Sequence, residues 1–419
     1  MALLLYLLAG IYGLQKGAGL YDKQRVAIKE IEQNALKERQ AYLDRYEGDS
    51  LVPSDRQWMN LSEPAWAIEV AEVYHHKSPS PAMVYSIGQS EQYGFSKKIT
   101  RWASPYDGDL AEEIANPERL QTGTLDFTFA LLFLSPLLLL VLLYNIKSTE
   151  TEQGFMALIE VQSASKNAWI LTRMMFYFLL LLLSNLLLIV YGGVLTNVFT
   201  EANVAFLQML LYSVAYCTFW SVLYFLILQS GKSIMGNTLR MIGIYFVFAF
   251  IIPAAVYQYL SIQHPTNLMI GFADAELEKR WQIWDKPDTL RLAELSEIFP
   301  VIAKSPILKD SDKRSTAIHE STSALENRLT KASIQPIEEE NQVKNAFISN
   351  TFWFNPVSFF HNRFNAVSQT HFDDYQNYRS EIQRLIDKQI DLLIAEMWND
   401  AKVDKKKYEA YYQKLKILN

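Results

Sequence analysis

The chain has one cysteine, Cys217, in 419 residues, so no intrachain disulfide is possible and the redox compartment cannot be read. It has no excess of positive charge. Its 39 Lys and Arg face 45 Asp and Glu, a net charge of -6, which argues against nucleic acid as a partner. No repeat of solenoid period recurs. There is no G-x-S-x-G elbow, no H-E-x-x-H pair and no paired-cysteine metal spacing. His75 and His76 are adjacent and cannot both face one metal from a regular helix. His361 and His371 flank Asp373 and Asp374 without a ligand spacing, so all four histidines read as surface or structural groups. The stretch "SGKS" at residues 230–233 has Leu226 where a phosphate loop needs its first glycine, and it reads as a tight turn carrying an orienting lysine, Lys232. Catalytic chemistry has no foothold, and the chain is not read as an enzyme.

Charge is also unevenly spread. It makes up 20% of the chain, yet residues 125–146, 169–195, 204–228 and 241–260 are almost free of it. Each run has roughly 20 residues, which at 1.5 Å per residue crosses a hydrocarbon core of about 30 Å. Their Leu, Ile, Phe and Val each favour insertion by a few tenths of a kcal/mol. One buried soluble helix could imitate such a run, but four together argue against it. Residues 1–20, "MALLLYLLAGIYGLQKGAGL", have a shorter apolar core. No basic residue precedes it and no small-x-small cleavage site follows, so it reads as a first span rather than a signal peptide. The predicted class is a mainly α integral membrane protein with about five transmembrane helices and membrane lipid around them.

Basic residues mark cytoplasmic loops. The loop after residue 228 carries Lys232 and Arg240 and no acid, so it is placed inside. The loop before residue 204 has one acid and no base, so it is placed outside. Residues 147–168 then lie inside, with Lys147, Lys166 and Arg173 at their edges. Residues 21–124 and 261–419 become two large, helix-rich extracytoplasmic segments. The first opens as a stalk helix continuing the first span, with Val26, Ile31, Leu36 and Leu43 on an apolar stripe; residues 47–117 then read as compact and mixed. The second has a charged, loosely patterned middle at 304–344. It ends in an amphipathic helix with Ile382, Leu385, Ile386, Ile390, Leu393, Ile394 and Met397 on one face, predicted to pack on the stalk.

Polar residues within the apolar runs are expensive in lipid. Gln208, Tyr212 and Tyr216 are four apart, and Asn185 lies mid-run in the preceding helix. They read either as interhelical hydrogen bonds or as a polar face lining a path or a subunit seam. Pro136 and Pro253 predict kinks, and Arg173 can snorkel.

The stretch "STETEQGFMALIEVQSASKNA" leaves one apolar run and enters the next. Phe155, Leu158, Ile159 and Val161 recur at helical spacing, with Gln153, Glu160 and Ser163 opposite. This predicts a short amphipathic helix along the inner interface. It reads as a solvated loop or as a docking element that couples a cytoplasmic engine to the spans.

Glu150, Glu152 and Gly154 in this stretch resemble the acid-x-acid-x-glycine signature before the coupling helix of type-two ABC exporter permeases; Phe155 and Met156 depart from its usual Thr-Leu. "SIGQSEQYGF" (86–95), "NPERLQTGTLDFTFALLFLSPLLLLVLLYN" (116–145) and "FNPVSFFHNRFNAVSQTHFDDYQNY" (354–378) are similar, in this order, to a bacterial subfamily of permeases with large extracytoplasmic insertions. The resemblance implies two permease subunits, the same or related, in a bacterial inner membrane. A separate cytoplasmic ABC ATPase would bind the ATP, so this chain would hold no cofactor itself. Glu150, Glu152, Gly154, Phe155, Leu158 and Glu160 would form the coupling element, with the acids paired to the partner. The family pattern has a basic segment before its first span and a sixth span at its end. This chain departs from it at both ends, and five spans with an outer C-terminus are expected. The alternative is a non-transport membrane sensor or scaffold whose outer domains bind a partner; a membrane-bound hydrolase ranks below both.

Overall fold

The computed structural model describes residues 1–48, 51, 59–71, 73–107, 125–163, 165–230, 233–263, 278 and 280–416. Within them the chain is mainly α. Five helices are long and apolar enough to cross a membrane: Ala2–Glu47, Phe127–Glu152, Lys166–Thr196, Asn203–Ser230 and Ile234–Gln263. They are called the first to fifth spans below. The fifth starts well before the apolar run at 241, because the Ser233 side chain accepts the Gly236 amide and caps a helix there. Most of the loop predicted at 229–240 is therefore helix. Ser230 donates back to the Leu226 and Ile227 carbonyls and closes the fourth span, while Gly231 and Lys232 lie outside the described residues.

The first span and its stalk are one unbroken helix of 46 residues. At two points its apolar half packs directly on other backbone. A Cβ on Gly13 would lie 2.4 Å from the Asp126 carbonyl carbon and the Phe127 nitrogen; one on Gly17 would lie 2.5 Å from the Val84 oxygen. Small residues four apart allow this close approach.

Both predicted kinks take the form of π turns. Ala130–Leu134 precedes Pro136 and Val247–Ile251 precedes Pro253. Pro136 has no N–H for the Leu132 carbonyl one turn back. Tyr216 of the fourth span donates its hydroxyl to that oxygen at 2.5 Å, and Ser135 donates to Leu131 at 2.6 Å. Tyr245 and Tyr224 reach the carbonyls of Phe133 and Pro136 at 3.0 and 3.2 Å. Side chains from neighbouring helices thus satisfy the backbone that the proline disrupts, as a low-dielectric setting demands.

Described residues of both polar segments, 21–124 and 261–419, contribute to one core. Leu43, Leu61, Ile68 and Ile99 from the first pack with Leu295, Ile318, Ile386 and Leu393 from the second. The first contributes two short antiparallel strands, Val73–His76 and Ser96–Ile99, with Val73 opposite Ile99. The charged stretch at 304–344 lies largely in a 40-residue helix, Ser311–Asn350, which holds Pro336. The helix Phe372–Met397 buries the whole predicted face from Ile382 to Met397. It packs mainly on Pro64–Glu69 and Ser311–Asn350, however, and the stalk is met instead by the helix Lys405–Lys416 and the strand Val73–His76. These neighbours turn the stalk differently from the predicted stripe: Leu43 is buried, but Val26 and Leu36 are exposed, and Tyr21 and Gln24 take their place inside. Arg39 on this face lies 3.8 Å from the centre of the Tyr412 ring.

Arg101 ties the two segments together. It is buried, with Glu320 at 2.5 Å and Glu69 at 3.6 Å, and it lies over the Trp102 ring. His75 sits 2.8 Å from Glu381 and stacks on Tyr378. One element of the second segment belongs to the bundle. The helix Pro356–Val367 adds Val357, Phe360 and Phe364 to the core of the spans, with Phe360 5.1 Å from Tyr216.

Candidate functional site

At the end of the bundle away from the domain, residues 148–162 form a helical hairpin. Ser148–Glu152 is the first helix and Met156–Gln162 the second. Gly154 joins them with φ +78°, a left-handed conformation that favours glycine. The Phe155 amide donates to the Glu150 carbonyl at 2.9 Å and the Gly154 amide to Thr151 at 3.3 Å. This is the Schellman arrangement that closes a helix on a C′ glycine.

The hairpin is fastened to three spans. Lys147 is buried and donates to the carbonyls of Leu228 and Gln229, at 2.8 and 3.0 Å, where the fourth span ends. A cation there also complements the helix dipole. Glu150 pairs with Arg173 of the third span. Glu152 accepts the Ile234 amide at 2.7 Å, at the start of the fifth. Asn237, also in the fifth, donates to Ser148 at 2.7 Å. The resemblance implied that both acids pair with a partner; in this structure each has a partner within the chain. They are engaged within the chain, because Arg173 snorkels back over Trp169 toward the end of its span, as expected, and the fifth span starts early enough to present Ile234. Glu160 stays exposed, 3.8 Å from Lys166. Met156 is the buried side chain of the second helix; Phe155, Leu158 and Val161 are 55%, 57% and 86% exposed.

The four polar residues of the third and fourth spans part company. Asn185 accepts from the Tyr6 hydroxyl and donates to the Cys217 sulfur at 3.2 Å, which joins the first, third and fourth spans. Tyr216 holds the second span, as above. Tyr212 is half-buried, edge-on to Phe364. Gln208 is exposed. Interhelical hydrogen bonding accounts for Asn185 and Tyr216, and none of the four lines the cavities described next.

The domain end carries a feature the sequence did not single out. A cavity of about 430 Å3 opens between the two π turns, lined by Phe129, Leu132 and Phe133 of the second span and Ala249 and Pro253 of the fifth. Its polar wall comes from two stretches far apart in sequence: Gly88, Gln89 and Gln92 on one side, and Ser358, His361 and Asn365 on the other. These are the stretches quoted above for 86–95 and 354–378. Ser86 donates to Asn365 at 2.5 Å, Thr370 to the Ser86 carbonyl at 3.1 Å, and the Gln89 amide to the Thr370 carbonyl at 3.2 Å. Gly88 has φ +50°, and a Cβ there would lie 2.5 Å from the Thr370 hydroxyl. The glycine thus serves both the turn and the close contact. π turns recur at functional sites, and here two of them face each other across one cavity.

Asp126, which also lines this cavity, caps the second span. Its carboxylate accepts the Phe129 amide at 2.8 Å and the Ile87 amide at 3.0 Å. Burial outweighs these bonds and raises its pKa from 3.8 to about 6. The folded chain therefore holds this proton more tightly than the unfolded chain does. The stability it contributes is full below about pH 4 and is lost as pH rises through about 6. His361 lines the cavity and is exposed to it, and desolvation by the surrounding protein, aided by His371, lowers its pKa. Its contribution has the opposite slope and is lost as pH falls below about 6.5. Asp126→Asn should therefore gain on the wild type by up to about 3 kcal/mol as pH rises from about 4 to about 7. Thermal melts across that range measure the difference, and a constant difference would refute the assignment.

Beyond the polar wall lies a second cavity of about 360 Å3, under the helix Ser311–Asn350. Gln89, Ser358, His361 and Asn365 line both cavities. His371 borders the second one and caps the helix Phe372–Met397 through the Asp373 amide. No family model, no curated protein and no solved structure matches this chain.

Proposed function

We propose that this chain is the membrane subunit of an ATP-driven exporter in a bacterial inner membrane. It pairs with a second permease subunit, the same or related, and couples a separate cytoplasmic ABC ATPase to movement of a substrate. The observation that carries this reading is the fastening of the hairpin. Lys147, Ser148, Glu150 and Glu152 bind it to the third, fourth and fifth spans, so force on Met156–Gln162 is passed to three spans at once. The same helix leaves Phe155, Leu158 and Val161 bare, an apolar patch suited to a groove on another protein. In this reading Glu150 and Glu152 hold the lever in place, and Phe155, Leu158 and Glu160 meet the ATPase.

The test is retention of an ATPase by affinity-purified membranes. Leu158→Asp places a charge in the apolar contact and should reduce retention at least about tenfold. Glu152→Arg should leave the ATPase bound but slow its substrate-stimulated turnover, because the link to Ile234 is gone. If wild-type membranes retain no ATPase, the export reading falls and the sensor or scaffold reading takes its place.

A further inference from the structure

The two cavities at the domain end differ in chemistry and adjoin at the lining residues they share, Gln89, Ser358, His361 and Asn365. The first is mostly apolar, lined by Phe129, Leu132, Phe133, Ala249 and Val357. The second is rich in side-chain amides. Asn341, Asn345, Asn362 and Asn365 line it with Gln89 and Thr370, and no carboxylate is among its described lining residues. Its single lysine, Lys344, is already paired with Glu340 at 2.6 Å. Amides both donate and accept, so they match hydroxyl and amide groups better than a phosphate or carboxylate, which only accepts. At the wall, the Gln89 side-chain oxygen is buried and has no hydrogen-bond partner among the described residues. Such an acceptor needs a donor, which an acceptor-only anion does not bring. The combined size falls in the usual range for small-molecule sites, roughly 300–1,000 Å3.

We infer that this pair of cavities binds an amphipath: a single alkyl chain in the apolar cavity and an uncharged head of hydroxyl or amide groups in the amide-lined one. The two faces of the site set two separate requirements. The chain must fit between the π turns of the second and fifth spans. The head must donate to Gln89 and exchange hydrogen bonds with the asparagines of Ser311–Asn350. Read with the proposed export, the cargo belongs to this class; that extension rests on the ATPase coupling, whereas the binding itself does not.

The experiment uses the full chain in nanodiscs without nucleotide, with dodecyl glucoside, dodecyl phosphate and dodecanol as probes and native mass spectrometry as readout. Dodecyl glucoside should bind saturably, and dodecyl phosphate at least about tenfold more weakly, the loss of a hydrogen bond or two. Ala249→Trp fills the apolar cavity and should abolish glucoside binding. Asn341→Leu alters a half-exposed helix position and should weaken the glucoside about tenfold while leaving dodecanol unchanged. Equal binding of glucoside and phosphate would overturn the head assignment. Unchanged binding in both variants would overturn the site. Because no nucleotide is present, loss of ATPase retention leaves this result standing, and the reverse also holds.

Discussion

Gly13→Val is expected to destabilise the protein by about 3 kcal/mol or more, the range of severe overpacking. The added Cβ alone would sit 2.4 Å from two backbone atoms at the Asp126–Phe127 link. Backbone cannot rotate away as a long side chain can. Either the first helix moves out or the start of the second span shifts, and both break other contacts. The Asp126 cap on Phe129 and its link to Ile87 lie at the same point. Gly19→Val is the internal control, because a Cβ there meets nothing within 4 Å. Thermal unfolding followed by size-exclusion chromatography in detergent compares the two. Equal melting temperatures would show that the first helix does not pack here as described.

Arg101→Leu should cost about 3–5 kcal/mol, because it strands acidic groups in a buried site. The guanidinium is buried, with Glu320 at 2.5 Å and Glu69 at 3.6 Å. Glu69 comes from the first polar segment and Glu320 from the second, so the loss acts on the shared core. Adding Glu320→Leu should recover part of the loss, since removing both partners of a buried pair costs less than removing one. Chemical denaturation of the single and double variants gives the coupling. A single variant within about 0.5 kcal/mol of wild type would mean that the arginine is surrounded by water in solution.

Sequence reading found the elements governed by local pattern. The apolar runs place all five long helices, and the face from Ile382 to Met397 is buried as its periodicity requires. Pro136 and Pro253 mark both irregular turns because a missing N–H acts where it occurs. What escaped depends on partners distant in the chain. The stalk stripe went wrong at Val26 and Leu36 because a helix and strand from elsewhere select the buried side. The pairing of Ser86 with Asn365 spans 279 positions, and nothing in either stretch announces the other. The resemblance assigned Glu150 and Glu152 to a partner, whereas Arg173 and the early start of the fifth span become their neighbours only in three dimensions. One signal was available and not used: the spacing of Gly13 and Gly17 is a common mark of close helix packing. Asp126 gave less warning, since a lone acid before an apolar run is an ordinary helix cap.

The unbroken first helix has a mechanical consequence. Its 46 residues make a rod of about 70 Å. The apolar half is gripped by the bundle at Gly13 and Gly17, and the far end carries the strand Val73–His76 and the helix Lys405–Lys416. No glycine or proline interrupts it after Gly19, so it has no hinge of the usual kind. A tilt of about ten degrees where it is gripped would sweep the stalk tip through roughly 8 Å. Any rocking among the five long helices must therefore reappear, magnified, as displacement of the elements at the far end of the stalk.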